Sequence, residues 1–322
     1  AVIVKNDEII GEGWHHCAGQ PHAEIEAIQS SPSFHLAKNA TIYVTLEPCC
    51  STGRTPPCCD ALIAAGFSRV VIGCVDPNPK HSGQGIEILK SAGIQVTTGV
   101  CEEICRNLNK AFFKWITCKK PYVLLKMAQT LDGRIATASG SSKWITGDSV
   151  ARRRVASLRV WSDAIMVGAN TYRTDNPRLT ARRKNDKIIK SPIRFVLTNH
   201  PETFDLSSGW CSVSLQSRKD WDSFLSDLGS RNILSLLLEG GGELAASALD
   251  AGIVDEIEFH IAPKLLGGRN SRPVIGGPDP QSVSEACPLE NFTFKKLGKN
   301  IQVNAKPLSR GNYRGDMICL QD

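Results

Sequence analysis

No stretch of this 322-residue chain is apolar and uninterrupted for long enough to span a bilayer, so no transmembrane segment is expected. Aromatic residues are few, at 6%, and the basic residues are dispersed except at Arg152, Arg153 and Arg154. A nucleic-acid binder carries stacking aromatics and a denser basic stripe, so no nucleic-acid partner is expected. The mild formal charge of +6 suits a small phosphorylated substrate better. There is no short repeat and no low-complexity tract; Arg182 to Ser191 is a polar, basic connection. The opening "AVIVKNDEIIGEG" reads as strand, polar turn and strand, with neither a signal-peptide pattern nor an initiator methionine, as in a chain missing its natural start. Without a secretory segment, the twelve cysteines do not read as a disulfide framework, and four of them cluster beside prolines. Reduced thiols and a cytoplasmic location are expected. The length is enough for two domains, each with its own core.

What is present alternates. Apolar, β-branched runs at Ala1–Val4, Thr41–Leu46, Val70–Val75 and Ile94–Thr98 predict strands, and the intervening patterns around Glu24–Gln29, Cys58–Ala65 and Gly85–Ala92 predict helices. That order argues an α/β sandwich on a largely parallel sheet. The pattern changes near Lys119, Lys120 and Pro121, where the domain boundary is placed. Beyond it, "YVLLKMAQT", "DAIMVGA", "IRFVLT", "ILSLLLEGGG" and "DEIEFHIAP" predict a second series of strands, with helices after Gly147 and Gly242.

Two constellations carry chemistry. His22 stands two residues before Glu24, and Cys49, Cys50, Cys58 and Cys59 follow in "TLEPCCSTGRTPPCCDALIAAG". A histidine and two cysteines supply three ligands to zinc and leave a fourth position for water. Cys49 follows Glu-Pro and Cys58 opens a helix after Pro56-Pro57, where backbone N–H groups favour thiolate. These two are assigned with His22, while Cys50 and Cys59 are read as small buried hydrophobes. Glu24, close to the metal without binding it, fits the proton shuttle of a zinc deaminase. The alternative is a closed, purely bracing zinc site with His15, His16 or Cys17 as fourth ligand. The second constellation, "LLLEGGGELAASALDAG", puts Glu239 at a strand end and three glycines before a helix, a turn that offers N–H groups to a cofactor phosphate. It lacks the GxGxxG spacing, and alone it is equally a tight strand-to-helix turn.

Together these motifs are familiar. "GEGWHHCAGQPHAEIEA", "TLEPCCSTGRTPPCCDALIAAG" and "VDPNP" resemble the deaminase half of the bifunctional riboflavin biosynthesis deaminase/reductase family. "KMAQTLDGRIATASGSSKWITG", "NTYRTDNPRLTAR" and "HIAPKLLGG" resemble its reductase half. The resemblance implies a cytidine-deaminase-like α/β/α sandwich over residues 1–119 and a dihydrofolate-reductase-like α/β domain over residues 120–322. It implies one zinc per chain on His22, Cys49 and Cys58, proton transfer by Glu24, and a ribosylamino-pyrimidinone 5′-phosphate substrate near His15, Asp76 and Asn78. For the reductase it implies NADPH at Ala128, Trp144, Thr171, Asp175, Asn199 and the run Gly241, Gly242, Glu243, Leu244, Ala245, Ala246 and Ser247. The substrate would meet Ser142, Arg159, Leu179, Arg182 and Glu239, the two arginines clamping its phosphate. Lys126 and Asp132 would order the pocket.

Three departures are visible. The family usually opens with a helix and a PNPxVG loop that this chain lacks, it commonly has histidine where Ser51 stands, and Asn199 replaces a frequent serine. Competing readings are a nucleic-acid base deaminase with an accessory module, a deaminase-impaired reductase, and a degenerate ligand-sensing protein. An assembly of like chains is left open.

Overall fold

The computed structural model describes residues 1–32, 37–79, 81–143, 145–182, 187–203 and 209–308, which leaves Trp144 outside the described residues. The chain divides into two compact units, Ala1–Cys118 and Lys119–Asp322. No disulfide joins the described cysteines. Among the described residues no helix is long and apolar enough to cross a membrane.

The first unit runs β1 (Val2–Lys5), β2 (Glu8–Glu12), α1 (Ala23–Ser30), β3 (Thr41–Leu46), α2 (Cys58–Ala65), β4 (Arg69–Cys74), α3 (Gln84–Ser91), β5 (Gln95–Thr98), α4 (Glu102–Leu108) and α5 (Lys110–Cys118). The sheet order is β2-β1-β3-β4-β5. Contrary to the largely parallel expectation, β1 pairs antiparallel with both β2 and β3, and only the β3–β4 and β4–β5 pairings are parallel. The cause is local: Asn6 and Asp7 take φ of 51° and 63°, so two residues turn β1 back on itself as a hairpin. Ile3, Ile42, Val44, Val70 and Ile72 form one apolar face and bury against Ala27, Ile28, Leu62 and Leu89 of α1 to α3. On the other face α4 comes so close to β4 that a Cβ on Gly73 would lie 2.2 Å from Cys105 Sγ. Helices on both faces make this unit an α/β/α sandwich.

The second unit runs β6 (Tyr122–Thr130), β7 (Arg134–Ala136), α6 (Ser149–Trp161), β8 (Ala164–Gly168), α7 (Ala169–Asp175), β9 (Ala181–Arg182), β10 (Ile188–Lys190), β11 (Ile193–Leu197), β12 (Trp210–Val213), α8 (Arg218–Ser230), β13 (Ser235–Glu239), α9 (Gly242–Asp250), β14 (Glu256–Ala262), β15 (Arg272–Pro273), β16 (Leu289–Leu297) and β17 (Asn300–Pro307). Eight strands form one sheet in the order β12-β11-β8-β13-β6-β14-β17-β16. From β12 to β14 every pairing is parallel, and β17 and β16 close the sheet antiparallel. Strands buried on both faces read as continuous apolar runs, which is why "YVLLKMAQT" and "SLLLE" were legible. Val123, Leu125, Met127, Leu236 and Leu238 face α8 and α9. Leu124, Ile165, Val167 and Leu237 pack on the opposite side with Leu158 of α6 and Trp210.

Candidate active sites

The first site lies where β3 ends and α1 and α2 begin. His22 is the N-cap residue of α1, with extended backbone (φ −76°, ψ 166°), and Cys58 is the first residue of α2, after Pro57. Cys49, in the loop after β3, approaches both. His22 Nδ1 is 3.5 Å from Cys49 Sγ and 3.3 Å from Cys58 Sγ, and the three donor atoms all lie within 4.8 Å of one another. Donors bonded to one zinc at about 2.0–2.3 Å stand about 3.3–3.8 Å apart at tetrahedral angles, so both S···N separations fit that ion. Thr55 Oγ1 lies 3.3 Å from His22 Nε2 and leaves Nδ1 to face the sulfurs.

The three donors also perturb one another electrostatically. The hydrogen bond from Cys58 is the main cause holding the Cys49 thiol down to about 4, with His22 adding to it against burial. Cys58 moves in the opposite direction, because it gives that bond and is buried beside Glu24. The hydrogen bond to Cys49 raises His22 despite burial. Glu24 is only 7% exposed, and burial raises its carboxyl, which suits a group that must carry a proton near neutrality.

The remaining first-unit residues divide. Cys59 is fully buried, as read, but Cys50 is half-exposed with its Sγ 3.3 Å from His81 Nδ1. Neither belongs to the metal-ligating group, the single such group among the described residues. His15 meets His22 edge-on at 5.2 Å, its Nδ1 lies 3.0 Å from the Pro21 carbonyl, and it is not in the group either. Asp76 is buried and accepts from the Asn78 N–H at 2.8 Å. Sequence reasoning missed Glu47. This buried carboxylate accepts from the N–H groups of Asp76, Gly83, Gly85 and Ile86 and fixes the segment that carries Asp76 and Asn78. Its position between a predicted strand and Pro48 was the available signal.

The second site is a cavity of about 840 Å³ above the C-terminal ends of β6, β8 and β13. Its wall includes Ala128, Thr171, Asp175, Asn199, Gly241, Gly242, Glu243, Leu244 and Ser247, and also Ser142, Arg159, Leu179 and Glu239. Gly240 and Gly241 take φ of 83° and 95°, which a side chain would resist, so the turn opens the N-terminus of α9 to the cavity. Volume and turn fit a dinucleotide phosphate. Within the predicted run, Ala245 and Ala246 are buried, and Ala245 belongs to the core behind α9. Glu243 accepts from the Gly277 N–H, and the Ser247 hydroxyl accepts from Trp221 Nε1.

The two arginines expected at the substrate phosphate have other partners in this structure. Arg159 spends Nε and Nη2 on Glu239, at 3.0 and 2.8 Å, and Arg182 donates to Thr180 Oγ1 and is not part of the cavity wall. Burial would raise Glu239, but Arg159 and Lys126 outweigh it and hold the carboxyl low. Asp132 braces a turn instead of the pocket, accepting from Thr130 Oγ1 and the Leu266 and Gly267 N–H groups.

Comparison with known proteins covers both units. The "Cytidine and deoxycytidylate deaminase zinc-binding region" family matches residues 1–74, and the "RibD C-terminal domain" family matches residues 121–303. Riboflavin biosynthesis protein RibD of Actinobacillus pleuropneumoniae is 41% identical, covering 93% of this chain and 86% of that protein. Its Escherichia coli K12 counterpart is 38% identical, covering 92% and 87%. The structure of Acinetobacter baumannii RibD, form 1, superposes with a TM-score of 0.82 at 36% identity over 95% of this chain and 91% of that one. A Thermotoga maritima diaminohydroxyphosphoribosylaminopyrimidine deaminase/5-amino-6-(5-phosphoribosylamino)uracil reductase gives 0.80 at 34% identity, over 95% and 91%. With a cysteine–histidine zinc site in one unit and a nicotinamide-sized cleft in the other, the chain belongs to the RibD family of bifunctional riboflavin biosynthesis enzymes, zinc deaminase joined to NADPH-dependent reductase.

Proposed function

We propose that residues 1–119 hydrolytically deaminate 2,5-diamino-6-ribosylamino-4(3H)-pyrimidinone 5′-phosphate, and that residues 120–322 then reduce the ribosyl chain of 5-amino-6-(5-phosphoribosylamino)uracil to ribityl. The observation that carries this reading is the pairing of two separate polar sites in one chain: His22, Cys49, Cys58 and Glu24 in one unit, and the glycine turn facing Glu239, Arg159 and Lys126 in the other.

When bound at His22, Cys49 and Cys58, zinc supplies Lewis-acid polarisation of water. Glu24 takes one proton from the attacking water and gives it to the pyrimidine ring nitrogen. It then takes the second from the hydroxyl group left on the ring carbon and passes it to the amine, which departs as ammonia while the C–N bond breaks and the C=O forms. Its burial keeps the carboxyl high enough to hold that proton between steps. Asp76 and Asn78, on the segment fixed by Glu47, orient the pyrimidine.

In the second unit NADPH, when bound, supplies the hydride. The turn at Gly240 to Gly242 holds its phosphates, Thr171 and Asp175 line its path, and Ser142 donates to Asp175 at 3.3 Å. Glu239, fixed by Arg159, accepts from sugar or uracil donors.

Glu24→Gln is the direct test. The variant should bind one zinc per chain, lose ammonia release by roughly 10²–10⁴-fold, and oxidise NADPH at the parent rate. Ammonia release within a few-fold of the parent would exclude Glu24 as the proton carrier.

A further inference from the structure

Under α6 the central strands of the sheet carry an unusual row of charge. Glu239 on β13 is in register with Lys126 on β6, Lys126 with Glu258 on β14, and Glu258 with Asn304 on β17. Residues in register on neighbouring strands share a face about 5 Å apart, so Lys126 has a carboxylate on each side. α6 closes both carboxylates from above. Arg159 forks onto Glu239, and Arg154 forks onto Glu258 through Nε and Nη2.

Glu258 has no exposed side-chain surface. Its Oε1 also meets His260 Nε2 at 2.8 Å and its Oε2 meets Asn304 Nδ2 at 3.4 Å. Both oxygens are therefore occupied, and Glu258 acts on Lys126 through charge and not through a hydrogen bond. His260 is equally buried, and its Nδ1 has no partner, so it serves Glu258 as a neutral donor. Lys126 is 6% exposed, no described group accepts a hydrogen bond from its ammonium, and it lies in the cavity wall. Lys126, Arg154 and Arg159 against Glu239 and Glu258 leave one positive charge in excess; Lys126, Arg159 and Glu239 line the cavity, and of its two cations Arg159 is already forked onto Glu239.

We propose that Glu258 is a positioning residue of the reductase: fastened by Arg154, His260 and Asn304, it supplies the second flanking negative charge that holds Lys126 as a fixed cation on the cavity floor, facing the oxygens of the substrate sugar. This rests on the reading of the cavity as the reductase site. Glu239, the other flank, is committed to Arg159 and to the ligand; burial, with Arg159 adding to it, holds Lys126 below the ordinary lysine value even beside both carboxylates, so losing one of them drives it further toward neutrality. The charged groups that face Lys126 are Glu239 from β13, Glu258 from β14 and Arg159 from α6. Glu258 is the one of these three with no place in the cavity wall.

The experiment uses the full chain with NADPH and 5-amino-6-(5-phosphoribosylamino)uracil. Glu258→Gln should lower kcat on the order of tenfold, leave KM for NADPH at the parent value, and move the alkaline limb of the kcat–pH profile to lower pH. The ¹³Cε resonance of Lys126, assigned through Lys126→Arg, should titrate at lower pH in the variant as well. A brace that serves folding alone would lower the melting temperature and move neither profile, and that result overturns the proposal. Should Glu258→Gln fail to fold, R154M/E258Q, which removes acid and base together, is read by the same two profiles. A parent enzyme that oxidises no NADPH would instead refute the cavity assignment itself.

Discussion

Glu258 ties pH to stability through one residue. Burial opposes its ionisation, but hydrogen bonds from Arg154 and His260 outweigh burial and hold the carboxyl down to about 2. A carboxyl held below its unfolded value stabilises the fold at pH above the ordinary carboxylate range, and the contribution disappears as pH falls through the folded value. The second unit should melt at constant temperature from neutrality to about pH 5 and lose on the order of 3 kcal/mol as pH drops toward 2. Calorimetry should find a shallower acid decline in Glu258→Gln, and identical acid profiles would exclude this residue as the source. The zinc ligands were legible because proline spacing and a helix start mark them locally. Glu258 and Lys126 were not, because their meaning comes from strand register between residues far apart in the chain. The ion pair of Arg159 with Glu239 was not legible either, since the two residues lie 80 positions apart in the chain.

Elements were readable where burial on at least one face leaves an apolar pattern. β3, α2 and β6 have the limits their apolar patterns predict, whereas the β16–β17 hairpin went unread. Nearly all of β16 is exposed, so it carries no apolar run. α6 shows how one cap can serve two elements. Asp148 accepts from the Ala151 N–H at 2.8 Å, capping the helix, and from the Lys299 N–H at 3.0 Å and Asn300 Nδ2, fastening the β16–β17 turn. Asp148→Ala should cost about 1–2 kcal/mol, lowering the melting temperature of the second unit. Because α6 also delivers Arg154 and Arg159, NADPH oxidation should fall while ammonia release stays at the parent rate. Equal loss of both activities would argue against a local role for the cap.

For the molecule as a whole, each unit owns its core and its chemistry, and no residue proposed for reduction precedes Lys119. Stripping zinc with a chelator should therefore stop ammonia release and leave NADPH oxidation unchanged, and a fragment beginning at Lys119 should reduce its substrate alone. Reductase activity that falls together with zinc content would contradict that independence. The order of strands also sets an order in time. All the strands of the first sheet have been made once Thr98 is synthesised, but β6, near the start of the second unit, lies between β13 and β14 and cannot find both neighbours before Ala262. At translation speeds of about 5–20 residues/s that interval lasts roughly 10–30 s. During it the nascent chain completes its metal-binding unit at Cys118, while a strand as apolar as Tyr122–Thr130 waits first for β13 and then for β14.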